Sequence, residues 1–444
     1  MIMNVFKKVS VGLCSVLLAL NLMGQDSTKN EKIKTGWNFG AIPVISYNTD
    51  LGLQYGALTN IYNYGDGKAY PMYYHSFYAE VSMYTKGSGI FRVFYDSKFL
   101  IPHIRFTADM AYLPDQALDF YGFNGSQAVF NKDWADDTSD AYKTRMFYKH
   151  RRNMFRTKLD FQGKTGIKNL NWAAGLVLNN ILVDSVDVAK LNKGKEGNDT
   201  LPTNEKTLYD NYLDWGIIKP DEAKGGFFTS IKAGLVFDTR DNEPNPMKGM
   251  WSEAVVSQTL NGDFNYTRLA LTHRQYFTLV KNQLSFAYRL GYQGIIAGEA
   301  PFYGLPEMVF SYLPSSTSDG LGGSKSVRGM VRNRVVGNGV VYGNLEFRWK
   351  FAQFTAANQN IYLALSPFMD LGKVVQERVV EKSLVPLAEQ PFYFNEGKDE
   401  LHITYGAGFR IAMNQNFIIA CDAGFPANKE DGDMGLYIGL NWLF

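Results

Sequence analysis

Alternation of apolar with small or polar side chains, sustained over segments of about ten residues, restricts the folds open to this chain more than any other feature. In the last segment Leu436, Ile438, Leu440, Trp442 and Phe444 fall on one face, and Gly435, Tyr437, Gly439 and Asn441 on the other. Residues 283–293 repeat the pattern, setting Leu284, Phe286, Tyr288, Leu290 and Tyr292 against Gln283, Ser285, Arg289 and Gln293. Residues 155–162 do so again, with Phe155, Leu159 and Phe161 opposite Arg156, Lys158, Asp160 and Gln162. Side chains of a strand point alternately to its two faces, so each segment reads as a strand with one greasy face and one face that carries all the charge. About ten residues is the length a tilted strand needs to cross a bilayer. A transmembrane barrel turns such apolar faces to lipid and the polar ones to its lumen. A soluble β-sandwich would not keep its apolar face so rich in Phe, Tyr and Trp over this many strands.

Following the pattern along the chain gives about 16 strands, an even number that returns both chain ends to the periplasm. They run from 37–47 and 52–63, through 339–352 and 360–372, to 416–423 and 434–444. The expected fold is all-β, a transmembrane antiparallel β-barrel over residues 36–444. Closure is required because a backbone in hydrocarbon must pair every N–H and C=O. Long polar connections at about 115–150, 185–226, 296–338 and 373–400 read as extracellular loops. This topology puts Trp134 and Gly197 outside the cell, and Asn245, in a short Pro-containing turn, on the periplasmic side. The first strand must meet the last, and the expected facing positions are Phe39 or Ala41 with Ile438 or Leu440. Gly435 and Gly439 weaken that last strand, since glycine orders at greater entropic cost and packs no side chain.

The N-terminus carries Lys7 and Lys8, an apolar run over residues 9–22, and Gly24 before the polar Gln25, Asp26 and Ser27. This reads as a secretory signal peptide, residues 1–24, cleaved near Gly24. The run is shorter than the roughly 20 apolar residues of a spanning helix. A short periplasmic segment, 25–35, then leads into the barrel. Loss of the leader leaves basic and acidic residues equal at 43 each, so no basic surface for nucleic acid is expected. Cys14 leaves with the leader, and Cys421 is then the lone thiol, so no internal disulfide forms.

Four ordered motifs carry a family resemblance. Val327, Arg328, Gly329 and Met330, in the long connection before the twelfth strand, resemble the V-R-G-F/Y motif in the sixth extracellular loop of the outer membrane protein 85 superfamily, the BamA/TamA-like bacterial surface antigen barrels. Asp238, Arg240, Asp241 and Asn242, followed by Pro246 and Gly249, resemble the family's strand and periplasmic turn before its ninth strand. Glu346 and Arg348 are similar to its twelfth-strand E-x-R element, and Phe368, Asp370 and Gly372 to its thirteenth-strand F-x-D-x-G element. Met330 in place of an aromatic is the one notable departure. The resemblance covers the barrel and not the family's periplasmic (POTRA) domains, for which the segment before the first strand is too short.

Alternation puts Tyr342, Asn344, Glu346 and Arg348 of the twelfth strand, and Tyr362, Ser366 and Asp370 of the thirteenth, on the lumen face. The resemblance implies that the sixth loop folds back there. A guanidinium has five donors in a planar fork and can engage two carboxylates, so Arg328 is expected to latch onto Glu346 and Asp370. Tyr437, Gly439, Trp442 and Phe444 fit the last-strand spacing shared by outer-membrane barrels, which implies recognition by the barrel-assembly machinery as a client.

No enzyme chemistry, cofactor or metal is expected. The five histidines, His75, His103, His150, His273 and His402, are scattered and belong to no nucleophile or metal motif. Asp133, Asp136, Asp137 and Asp140 lack the ligand pattern of a calcium loop and read as a solvated loop, and Gly65, Asp66 and Gly67 read as a turn. The resemblance implies a barrel that helps insert or move polypeptide, or lipid, at the outer membrane. A passive channel, or a structural partner subunit of an outer-membrane complex, remains the alternative.

Overall fold

The structure is a computed structural model that describes residues 34–444 apart from 69–72, 243–244, 261, 263, 309–318, 357–358 and 414–416. The expected signal peptide, residues 1–24, and most of the expected segment 25–35 lie outside the described residues. The first eight strands are β1 (Trp37–Asn48), β2 (Gly52–Asn63), β3 (His75–Tyr84), β4 (Gly89–Ile101), β5 (Ile104–Asp119), β6 (Lys149–Lys164), β7 (Leu170–Asp184) and β8 (Gly225–Asp238). Then come β9 (Gly249–Leu260), β10 (Tyr266–Val280), β11 (Leu284–Gly298), β12 (Gly339–Ala356), β13 (Gln359–Gln376), β14 (His402–Met413), β15 (Phe417–Pro426) and β16 (Gly435–Leu440). Each pairs antiparallel with its neighbours in sequence, and β16 returns to β1 to close a 16-stranded barrel.

The two faces follow the alternation in the sequence. On β11, Ser285, Ala287 and Arg289 are buried toward the lumen, whereas Leu290 is exposed on the outer wall. On β6, Arg156 and Asp160 are buried and Phe155 is exposed. Outer-wall aromatics meet from strand to strand, stacked in Phe277 with Phe286 and tilted in Phe286 with Phe347.

All four long connections emerge at one end of the barrel, where they pack into a dome. Its apolar interior includes Phe120, Phe147, Tyr209, Tyr212, Phe302 and Phe394. Ion pairs tie the loops together beneath it. Arg332 reaches Asp115 and Asp319, each at 2.8 Å, and Arg378 pairs with Glu222 at 2.5 Å. Burial pushes the Glu222 carboxyl up from its ordinary range, against the pull of Arg378.

Trp134 at the long-loop end and Asn245 at the short-turn end stand where the sequence reading put them, with both side chains buried, whereas the end of the last strand is corrected. Trp134 is buried in the dome, with its ring against Phe147 and Tyr393 and the Lys143 ammonium 3.9 Å above it. Asn245 is likewise buried, because the β8–β9 turn folds into the short-turn end of the lumen, where its Nδ2 donates to Tyr362 Oη at 2.9 Å. The last strand ends at Leu440, not at 444. Asn441 takes a φ of 69°, and Trp442 and Phe444 turn away from lipid into the lumen. Asn tolerates the left-handed conformation better than most residues, so it can end the alternation that would have sent both rings outward.

With the long loops outward, a membrane-impermeant maleimide should label Lys195→Cys in intact cells and Lys281→Cys only after permeabilisation, in a Cys421→Ser background. Lys195 lies in the exposed part of the β7–β8 loop and Lys281 in the exposed β10–β11 turn. Labelling of Lys281→Cys in intact cells would invert the topology.

Candidate functional site: the loop latch and the barrel seam

The β11–β12 loop descends from the dome into the lumen and delivers Arg328 to the wall. Its Nε donates to Asp370 Oδ2 at 2.8 Å and its Nη2 to Asp370 Oδ1 at 3.0 Å, a two-pronged grip on β13. The Arg328 backbone N–H adds a third bond to Asp370 at 3.0 Å. On the other side Nη1 lies 2.8 Å from Glu346 Oε1 of β12, and the guanidinium stacks 3.6 Å from the centre of the Phe368 ring. All three charged residues are fully buried. The loop backbone comes so close to β15 that a Cβ on Gly329, whose φ is 98°, would lie 2.5 Å from the Gly424 carbonyl carbon. Only glycine permits that approach. Met330 is buried with Val327 in an apolar cluster, where a flexible thioether fills the space as an aromatic would.

The network extends further than the sequence motifs. Arg348 Nε donates to Glu346 Oε2 at 2.9 Å, and its Nη2 donates to the Phe444 carbonyl at 2.8 Å. Its guanidinium also sits 4.5 Å from the Trp442 ring and 4.9 Å from the Phe444 ring. Arg410 of β14 grips Asp422 of β15 with bonds of 2.7 and 3.0 Å and faces Trp442 from a third direction. Asp370, Arg328, Glu346, Arg348 and Phe444 therefore form one continuous chain from the inward loop to the tail behind β16. Alternation places Arg410 and Asp422 in the lumen, but no motif singles them out.

The strand that this tail follows, β16, borders the weakest line in the wall. β16 meets β1 at two residue pairs, Tyr47 with Ile438 and Asn48 with Tyr437, whereas its other edge pairs with β15 at six positions, from Gly424 with Gly435 to Ile419 with Leu440. This register places Tyr47, not Phe39 or Ala41, opposite Ile438, which corrects the facing positions read from sequence. Thr49 N–H donates to the Leu436 carbonyl, so by alternation Tyr47, Ile45, Pro43, Ala41, Phe39 and Trp37 all direct their backbone groups to the seam. Pro43 has no N–H to offer there, and proline in a sheet is confined to such edges. Among the described residues, β1 has no partner on its seam side from Trp37 to about Ile45 and is there an edge strand.

A family model, the Omp85 superfamily domain, matches residues 79–441. The chain belongs to the Omp85 superfamily. Among solved structures it is similar to BamA from Haemophilus ducreyi lacking POTRA domains 1–3, at 14% identity over 97% of this chain and 78% of that one, with a TM-score of 0.52. It is similar also to CdiB from Escherichia coli, at 11% identity over 94% of this chain, with a TM-score of 0.52. The chain spans 64% of that protein's length. No curated protein matches. Omp85 barrels are proteins of the bacterial outer membrane that insert or translocate other molecules, working with partner proteins and polypeptide substrates.

The other motif residues build a turn. Asp238 accepts two side-chain bonds from Arg240, whose guanidinium lies 4.2 Å from the Trp251 ring. Asp241 accepts the N–H groups of Met247 and Lys248. A Cβ on Gly249, at φ 96°, would meet the Thr239 carbonyl oxygen at 2.2 Å. Asp136 closes a local turn through Thr138, and Asp137 pairs with Arg145. His402 sits between Asp399 and Asp431, joining two loops at the dome base. On the outer wall His273 lies between Ser252 and Tyr288.

Arg328→Ala strands two buried carboxylates, a loss of about 3–5 kcal/mol by analogy with other buried pairs. The wall's ladder of backbone bonds should hold, so the expected outcome is an inserted barrel whose inward loop becomes susceptible to trypsin. Adding Glu346→Gln and Asp370→Asn should make Arg328→Ala far milder than in the parent, as coupled groups require. Additive effects would show that the three side chains do not act together.

Proposed function

We propose that this Omp85 barrel assists insertion or translocation of polypeptide, or of lipid, at the outer membrane by parting β1 from β16. The observation that carries this reading is the two-pair seam beside a long unpaired edge on β1. Unpaired backbone groups in hydrocarbon are costly, so that edge favours any strand able to pair with it, the physics by which an extended peptide adds to a sheet. The tail turned inward at Asn441 leaves the position open. Obstruction at both ends, by the packed dome and by the β8–β9 turn with the tail, favours a gated path over a standing channel. In this reading Arg328, Glu346 and Asp370 are a lumenal latch that holds the gate's inner face in place. Tyr437, Gly439, Trp442 and Phe444 serve earlier, as the signal by which the barrel-assembly machinery takes up the unfolded chain.

One observation favours the partner-subunit reading as well. The β13–β14 loop presents Leu384, Leu387 and Phe392 on its outer surface, exposed by 66%, 84% and 61%. An apolar patch on a loop fits contact with another protein.

A disulfide across the seam tests the gate. Tyr47→Cys with Ile438→Cys, in a Cys421→Ser background, puts the two thiols on a register pair, within the roughly 4.4–6.8 Å between Cα atoms that a disulfide demands. The oxidised barrel should stay folded yet fail to insert an unfolded outer-membrane polypeptide into proteoliposomes, and reduction should restore insertion. Full activity in the bridged form would rule out seam opening as the mechanism.

A further inference from the structure

The turn 49–51 between β1 and β2 is a junction of three parts. Thr49 grips the start of β16. Its hydroxyl accepts from Leu436 N at 2.7 Å, and its own N–H donates to the Leu436 carbonyl at 3.1 Å. Asn48 Nδ2 donates to Ser324 Oγ of the inward loop at 3.3 Å, and Lys86 Nζ donates to the Thr49 carbonyl at 2.6 Å. Asp50 sits at the centre of this junction. Its N–H donates to Asn48 Oδ1 at 2.8 Å, but its carboxyl oxygen Oδ2 is sealed from solvent with no hydrogen-bond partner among the described residues. The inward loop passes beside that oxygen, close enough that a Cβ added to Gly323 would lie 3.2 Å from it.

We propose that Asp50 is a proton-operated catch on the barrel seam. Protonated, it fits a slot in which Oδ2 is cut off from water and holds the junction of β1, β16 and the inward loop closed; ionised, it draws toward water and loosens the pairing of Tyr47 with Ile438. A carboxylate without a donor is strongly disfavoured away from water. The charged neighbours do not offset this. Asp119 of β5 opposes ionisation, and Lys149 of β6, Arg332 of the inward loop and Lys86 of the β3–β4 turn assist it. Tyr437 of β16 and Tyr121 after β5 also face the group. Burial first, and Asp119 second, push the Asp50 carboxyl up to about 7.

The sign follows from linkage. The closed junction keeps its proton up to about pH 7, whereas a released Asp50 would give it up near the ordinary value of 3.8. The catch therefore contributes fully below the released value, weakens as pH rises from there, and is lost above about 7. Acid at the cell surface shuts the seam and neutral medium frees it. This inference builds on the reading of the seam as a gate, but its test reads strand separation and not transport, so either can fail alone.

Nitroxide labels on Ile45→Cys and Leu440→Cys, which face lipid on opposite sides of the seam, report the separation by pulsed electron paramagnetic resonance. The full chain carries Cys421→Ser and sits in liposomes buffered across the acid-to-neutral range. The ratio of closed to open populations should fall at least about tenfold with rising pH, one pKa unit being a factor of ten, with a midpoint close to the Asp50 value. Asp50→Asn, which keeps the shape without the charge, should stay closed throughout. Asp119→Asn, which removes the opposing charge, should move the midpoint to lower pH and provides the test should Asp50→Asn fail to fold. A separation independent of pH in the parent, an unaltered pH response in Asp50→Asn, or an unmoved midpoint in Asp119→Asn would overturn the proposal.

Discussion

Inside a bilayer no water replaces a lost backbone hydrogen bond, and the architecture of this barrel follows from that constraint. Fifteen of the sixteen strand junctions meet it with long antiparallel ladders. The junction of β1 with β16 does not, because β16 ends at Leu440 while β1 continues unpaired toward Trp37. Two residues make the shortfall a local property of the chain. Pro43 removes a donor on the seam side of β1, and Asn441, three residues past the last paired residue Ile438, turns the chain inward. The wall is thus closed at its long-loop end and left as an open edge toward the short-turn end.

The lumen is organised around the same place. Arg328 lies between two carboxylates at depths where an unpaired charge would be expensive, and Glu346 shares its second oxygen with Arg348, which in turn holds the Phe444 carbonyl. Such buried pairs add little net stability over an apolar core, but losing one partner is strongly destabilising. The arrangement therefore makes the inward loop, β12, β13 and the tail dependent on one another. The charge contacts run from the loop, through Glu346 and Arg348, to the tail that follows β16. The glycines at 329 and 424 permit the approach that brings the loop there at all.

Much of this was legible in the sequence, for identifiable reasons. Period-two alternation reports which face a residue occupies, so the strand count, and the lumenal placement of Glu346, Arg348 and Asp370, could be read from it. The motif around Arg328 supplied the partner, and the structure brings the three residues together. Alternation does not report where a strand stops. Trp442 and Phe444 continue the apolar pattern of β16 in sequence, yet both rings find guanidinium groups inside the lumen. Asn441 was the available signal. Register was illegible because it depends on shear around the whole cylinder, and the first strand consequently pairs through Tyr47 and not Phe39. Trp134 sits among the aspartates of a polar loop, and only the dome, assembled from four distant loops, shows why it is buried.

Hydrogen–deuterium exchange of the full chain in lipid nanodiscs tests the central claim most directly, because it reads backbone pairing without reference to any client. The account predicts rapid exchange of the amides that β1 directs to the seam between Trp37 and Ile45, slower exchange at Tyr47 and Thr49, and strong protection along β12 and β13. Uniform protection along both edges of β1, equal to that of β12 and β13, would contradict it.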